Sequence, residues 1–146
     1  MKKSEFAVEK FLNGHNCAQS VLYSFCEDLN LDEDTAMKIA SGFGGGMGRK
    51  GEVCGAVSGG IMTIGMKYGS GKNPDSSKTG ITYRKTRELM DRFAEKHGCY
   101  ICRKLLEGCE LSTDEGQKEF KEKGLKTRVC KQCIISAVEI VEDILT

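Results

Sequence analysis

The sequence has no tryptophan, one proline (Pro74), two histidines and no long hydrophobic run. Its longest apolar-looking stretch, CGAVSGGIMTIGM at 54–66, is shorter than the ~20 residues a helix needs to cross a bilayer. Neither sign of charge dominates. Lys and Arg number 22 against 21 Asp and Glu, for a net charge of +1, so no field that would draw nucleic acid or an acidic membrane is expected. The basic residues are scattered among acids, the pattern of a solvated surface. There is no HExxH, no GxSxG and no convincing carboxylate pair, so hydrolytic chemistry is not expected. The opening residues MKKSEFAVEKFL lack an apolar segment ahead of a cleavage site, so no secretory signal is read and the expected compartment is the cytoplasm.

The 146 residues suit one domain, which at this size buries roughly 70% of its unfolded surface and needs no disulfide to fold. No hairpin or period-2 strand signal is found, and most segments carry helical spacing. Residues 4–12 place Phe6, Ala7 and Phe11 on one side. Asn16 is a good N-cap for a helix carrying Ala18, Val21, Leu22, Phe25 and Leu29. Asp32 caps a short helix with Ala36, Ile39 and Ala40, ending at Gly42. A small-residue helix is expected from near Glu52 to Tyr68, an exposed loop at SGKNPDSSKTG, and an amphipathic helix over 81–97 with Leu89, Met90, Phe93 and Ala94 inward. A short helix follows at CYICRKLL, Ser112 and Glu115 suggest a capping box for another, and the last helix runs from about Cys130 to Leu145 with Ile134, Ala137, Val138, Val141 and Leu145 on its apolar face. The expected fold is an all-α, single-domain bundle over 1–146, with about six or seven helices, several of them short.

Glycine is abundant where proline and tryptophan are not. Gly46, Gly48 and Gly51 match GxGxxG, and a glycine loop before a helix can hold phosphate on free backbone N–H groups. Here a helix rather than a strand precedes the loop, no βαβ unit follows, and Glu52 stands where a Walker lysine belongs. A nucleotide site is therefore not expected. Gly55, Ala56, Ser58, Gly59 and Gly60 read first as a surface for close helix packing. Glycines inside a helix cost roughly 1 kcal/mol each relative to Ala, so packing or function should offset them.

Eight cysteines remain to be explained: 17, 26, 54, 99, 102, 109, 130 and 133. In a reducing compartment they point to metal binding or redox chemistry before a disulfide framework. Cys26, at helical spacing from Leu22 and Leu29, fits core packing. Cys17, Cys54, Cys102 and Cys130 each fall where a helix is expected to begin. Helix N-termini favour thiolate over thiol and can lower a cysteine pKa from ~8.5 to between ~3.5 and 7.5. Four such sulfurs brought together would suit an anionic, thiolate-ligated centre. Cys99/Cys102 and Cys130/Cys133 also have CxxC spacing, compatible with Zn²⁺ though farther apart than compact zinc motifs. Arg103 and Ile134 follow these pairs where c-type haem attachment needs His. His15 and His97 each lie two residues before a cysteine and are secondary ligand candidates.

The segments GHNCAQSVL (14–22), GFGGGMGRKGEVCGAVSGGIMTIGMKYG (42–69), CRKLLEG (102–108) and CKQCIISAVEIVEDIL (130–145) resemble a redox-active family named for its C_GCAxxG_C_C pattern. The CGAxxG motif stands as Cys54-Gly55-Ala56-Val57-Ser58-Gly59. The resemblance implies that the four family cysteines are Cys17, Cys54, Cys102 and Cys130, that they bind a cofactor, and that this is an iron–sulfur cluster, [2Fe–2S] or [4Fe–4S]. Cys99, Cys109 and Cys133 depart from the minimal pattern, and Cys99 or Cys133 could substitute for one of the four as a ligand.

Three functions compete. The leading expectation is an iron–sulfur or other metal centre on the four thiolates, serving electron transfer with a redox partner protein, as an electron carrier or accessory protein more than a stand-alone enzyme. The second is a metal-free thiol–disulfide protein using Cys99/Cys102 or Cys130/Cys133, weakened by the lack of a thioredoxin-like βαβ pattern. The third is a zinc-stabilised helical interaction module. No nucleic acid partner and no membrane insertion are expected, and a homodimer is allowed.

Overall fold

The small-residue segment becomes the central helix, α5 (Gly55–Tyr68), in which residues 55–60 are all buried. The structure is a computed structural model describing residues 1–146. Around α5 pack α2 (Cys17–Tyr23), α6 (Ser76–His97) and α9 (Lys131–Leu145), with α1 (Lys3–Leu12) lying against α2 and α9. The two central glycines explain how three helices approach one. A β-carbon on Gly59 would sit 2.6 Å from the Ala18 carbonyl oxygen of α2, and one on Gly60 would sit 2.7 Å from Leu89 Cδ2 of α6 and 3.0 Å from Val141 Cγ2 of α9. The helix-propensity cost of these glycines is thus offset by packing. Val21, Ile64, Leu89, Phe93, Ile134, Val138 and Val141 fill the resulting core.

The remaining elements are short: α3 (Cys26–Leu29), α4 (Glu33–Ala40), a 3₁₀ turn (Ser41–Phe43), α7 (Cys102–Leu105), α8 (Asp114–Glu122) and a π turn (Lys126–Cys130). The fold is all-α, with nine α-helices where six or seven were expected. One reason is that the helix expected from Asn16 through Leu29 breaks. Ser24 and Phe25 donate backbone bonds to Val21 and Leu22, three residues back, and Ser24 Oγ donates to Val21 O at 2.7 Å. The side-chain bond competes with the α-ladder. Asn30 then ends α3 in the left-handed conformation (φ 52°).

Other boundaries also move. α6 begins at Ser76 rather than 81, because Asp75 Oδ1 accepts from the N–H groups of Ser77 (3.0 Å) and Lys78 (3.1 Å) just after Pro74. The cap of α8 is Thr113, whose Oγ1 accepts from Gly116 N at 2.9 Å, not Ser112. α4 ends at Ala40, and Ile39, expected inward, is exposed, as is Phe6 on α1. No helix is long and apolar enough to cross a membrane.

Candidate functional site

Cys54 and Cys102 are brought together by backbone. Val53 and Ile101 form an isolated antiparallel bridge, closed by Cys54 N–H donating to Tyr100 O (2.8 Å) and Cys102 N–H donating to Glu52 O (2.6 Å). Alternation along an extended pair puts side chains 54 and 102 on one face and those of 53 and 101 on the other. The glycine loop makes this approach feasible. Gly45, Gly46, Gly48 and Gly51 all have positive φ. A β-carbon on Gly46 would lie 2.6 Å from Cys102 Cβ and 2.7 Å from the Glu52 nitrogen, so only glycine lets the loop pass behind Cys102. Glu52 itself is exposed and lies three residues ahead of α5, so it is not in that helix's first turn.

Cys17 enters from α2. Its position follows from a capping box: Asn16 Oδ1 accepts from Gln19 N, and Gln19 Oε1 accepts from Asn16 N, each at 2.9 Å. Gly55 leaves room for it, since a β-carbon there would sit 3.1 Å from Cys17 Cβ. Cys130 enters from the end of the π turn and Cys133 from the first turn of α9; helical dihedrals run through both, so a spacing of three puts them on one face. The outcome is one cavity of about 100 Å³ lined by Cys17, Cys54, Cys102, Cys130 and Cys133. Its other walls are mainly apolar, from Leu105, Leu106 and Val129.

The structure therefore brings all four sequence-predicted cysteines to one cavity and adds a fifth. Cys133 is buried and packs in the main core. Its signal in the sequence was its helical spacing from Cys130. Cys26 is buried core, as expected. Cys109 does not line the cavity but is buried in the small cluster that also holds Cys102, with Sγ donating to Gly116 O. Cys99 lies outside the cavity, beside a surface depression it shares with His97. His97 is held elsewhere: its Nε2 is 2.8 Å from Ser136 Oγ and its ring lies 4.5 Å from that of Phe93. His15 does not line the cavity either.

The electrostatics correct the helix-terminus argument. Cys54 is the N-cap of the long helix α5, and its pKa is held below the ordinary value. The causes, largest first, are a hydrogen bond from the Cys133 thiol and then, working against burial, N–H bonds from Ala56 and Val57. Cys17 also sits at a helix start, yet its pKa is raised, first because its thiol is engaged with Cys130 and then by burial. Cys102 is pushed up to about 12, chiefly by burial and then by the neighbouring Cys54. Its helix, α7, is a single turn whose first N–H groups are already bonded to Glu52 and Gly51 carbonyls, so little dipole faces the sulfur. Cys130 is not at a helix start at all. The π turn runs through it into α9 with unbroken helical dihedrals. Helix-terminus stabilisation thus reaches Cys54, while Cys17 and Cys102 shift the other way.

The sulfur contacts also differ from the CxxC expectation. The thiols that perturb one another most are Cys17 with Cys130 and Cys54 with Cys133. Cys133 is pushed strongly upward, first as the donor to Cys54 and then by burial. No three His, Cys, Asp or Glu side chains form a ready-made metal-ligand set.

The sequence model of a family described as "Putative redox-active protein (C_GCAxxG_C_C)" matches residues 15–144. The chain belongs to this family. The C_GCAxxG_C_C match covers α2 through almost all of α9, and so spans every element that delivers a sulfur to the cavity. No curated protein and no solved structure matches the chain.

Proposed function

We propose that this member of the C_GCAxxG_C_C family is a redox protein whose centre is the five-cysteine cavity, and that the cavity carries an iron–sulfur cluster for electron transfer. The observation that supports the reading most directly is the convergence of five thiols from α2, the α5 cap, α7 and the π turn and start of α9 on one small cavity. The donor chemistry fits such a group. The lining offers sulfur and no carboxylate or imidazole, the soft set that takes iron–sulfur clusters or zinc in preference to hard cations. Cys17, Cys54, Cys102 and Cys130 would hold it, with Cys133 next to Cys54. A bound cluster would supply a one-electron store.

The chain's own groups prepare the site. Cys54 is the sulfur closest to thiolate, favoured first by the Cys133 thiol and only then by the Ala56 and Val57 N–H groups. Cys133 holds its proton on Sγ and donates it toward Cys54. Loading requires breaking both thiol pairs and releasing protons from Cys17 and Cys102, so uptake should strengthen as pH rises. The apolar wall keeps water away, and the Ala56 and Val57 N–H groups remain as donors to sulfur, a contact that raises a cluster's potential.

One observation favours a second reading. Thiols that perturb one another in pairs within one cavity are what a metal-free dithiol protein would present, and the pairs here are Cys17/Cys130 and Cys54/Cys133. The two readings separate on one experiment. Protein purified and reconstituted without oxygen is assayed for iron, acid-labile sulfide and visible absorption, before and after addition of reductant. The cluster reading expects iron and sulfide in equal amounts and a charge-transfer absorption that bleaches on reduction. A colourless, iron-free protein showing a two-electron thiol couple supports the dithiol reading instead. Stoichiometric zinc without any couple would support the zinc-stabilised module.

A further inference from the structure

A second depression lies against the cysteine cavity. It has a volume of about 480 Å³ and shares with the cavity a wall formed by Phe11, Asn16, Gly45, Leu111 and Phe120. It is the larger and more open of the two spaces and stands on the solvent side of that wall. Two features give it a chemistry of its own.

The first is charge. The ionisable side chains in its lining are Arg49 and Lys126, both cationic, and no Asp or Glu lines it. In a chain with almost equal numbers of acids and bases, an acid-free groove with two cations is a local excess. Neither cation has a carboxylate within salt-bridge distance, although Lys38, Arg92, Arg103 and Arg128 do. Lys126 Nζ instead lies 5.1 Å from the centroid of the Phe11 ring.

The second is backbone. The N–H groups of Gly44 and Gly45, which line the groove, have no acceptor within the protein, whereas the N–H groups from Met47 through Glu52 are all bonded back into the loop. Successive free N–H groups in a turn with left-handed residues are a recurrent way of holding an anion. Gly45 has φ 63°, and a β-carbon there would meet Arg49 Cγ at 2.8 Å, so the loop folds tightly enough to bring the Arg49 side chain over its own backbone. The glycine loop lacks the strand and lysine of a nucleotide site. Its free N–H groups, with Arg49 and Lys126 beside them, suit a smaller anionic head. Phe11, Leu111 and Phe120 offer apolar contact behind that head, on the side of the cysteines.

We propose that this groove binds a small organic anion, an apolar body carrying a carboxylate, sulfonate or phosphate head, with the head on Arg49, Lys126 and the Gly44 and Gly45 N–H groups and the body against the shared wall. Seated there, the ligand lies one wall from the sulfurs, where its negative charge bears on whatever centre they hold. That consequence rests on the redox reading, while the binding itself does not.

The test uses the full chain, with naphthalene-2-carboxylate as probe, 2-naphthalenemethanol as its uncharged counterpart and inorganic phosphate as the head alone. Binding is followed by amide chemical shifts and by calorimetry. The carboxylate should shift the Gly44, Gly45 and Arg49 resonances, and its affinity should fall as salt is raised. The neutral alcohol should bind about tenfold more weakly or worse, the worth of one charge-assisted hydrogen bond. The double variant Arg49→Gln/Lys126→Gln should lose the carboxylate by a similar factor or more while its other resonances, and the iron and sulfide it takes up, stay unchanged. Equal affinity for the acid and the alcohol, shifts confined to another face, or unaltered binding by the double variant would overturn the proposal. Phosphate shifting the same glycines would support the head site, and phosphate shifting none of them while the carboxylate does would still place the body there. Because iron uptake is read on the same samples, loss of the anion site and loss of the redox reading are separable.

Discussion

Gly59→Ala is the substitution whose effect follows most directly from the packing of α5. The added methyl would sit 2.6 Å from the Ala18 carbonyl oxygen, 3.1 Å from Val21 Cβ and 3.2 Å from Ala18 Cα, well inside the ~3.3 Å of a close C···O contact. Two of these three atoms are backbone of α2, so no side-chain rotation relieves them. Overpacking of a core costs about 1–3 kcal/mol, and rigid neighbours argue for the upper half of that range. Against it stands the gain of ~1 kcal/mol from removing glycine within a helix. The net expectation is a loss of about 1–2 kcal/mol, which in a chain of this size lowers Tm by roughly 2–8 °C. Gly65 supplies the control. It lies in the same helix, and a β-carbon there meets nothing within 4 Å, so Gly65→Ala should gain up to ~1 kcal/mol and raise Tm by about 2–4 °C. Thermal denaturation of the three proteins in one metal state decides it. If Gly59→Ala melts at or above the wild-type temperature, α2 and α5 are not in the contact described and the placement of Cys17 beside Cys54 fails with it.

Other outcomes follow from the thiol network. In the metal-free protein, ultraviolet thiolate absorbance should rise first from Cys54, below the ordinary cysteine range, and the Cys133→Ala variant, lacking the thiol donor, should move that first step to higher pH. Cys102, raised from 9.0 to about 12, and Cys26, raised to about 11, stay protonated in the fold while the unfolded chain ionises. Their contribution is therefore intact below pH 9 and lost as pH rises toward 11–12. Denaturant midpoints of the metal-free protein should fall across that window, and a flat profile would contradict the burial of these thiols. The depressed value of Cys54 acts in the opposite sense, adding stability that disappears as pH falls through its folded pKa. Gly46→Ala, whose β-carbon would meet Cys102 Cβ at 2.6 Å at a residue with φ 69°, should reduce iron uptake as strongly as loss of a cysteine. His97→Gln, at a residue that does not line the cavity and is bonded to Ser136, should leave iron content unchanged.

Much of the scaffold was legible because it rests on local rules. The caps at Asn16 and Asp32 and the apolar faces of α6 and α9 follow from side-chain chemistry and spacing within one helix. The family motif and the helix-start positions selected four of the five cavity cysteines. What was not legible depends on contacts distant in sequence. The spacing from Cys130 places Cys133 on the cavity face, but its apposition to Cys54 across the fold is encoded by no spacing rule. The antiparallel bridge between Val53 and Ile101 is too short to leave a strand pattern, yet it sets the 54–102 juxtaposition. The π turn at Lys126–Cys130 moves Cys130 away from a helix terminus, and with it one quarter of the dipole argument. The break at Ser24 and Phe25 arises from one side-chain bond competing with an otherwise continuous helical pattern.

The most direct test of the central claim, that the converged cysteines are the ligands of a redox centre, is iron K-edge X-ray absorption on protein loaded without oxygen. An iron first shell made of sulfur alone, lost together with the iron in the Cys54→Ala variant, is the predicted result. Absence of bound iron, or a first shell of oxygen and nitrogen, would contradict it.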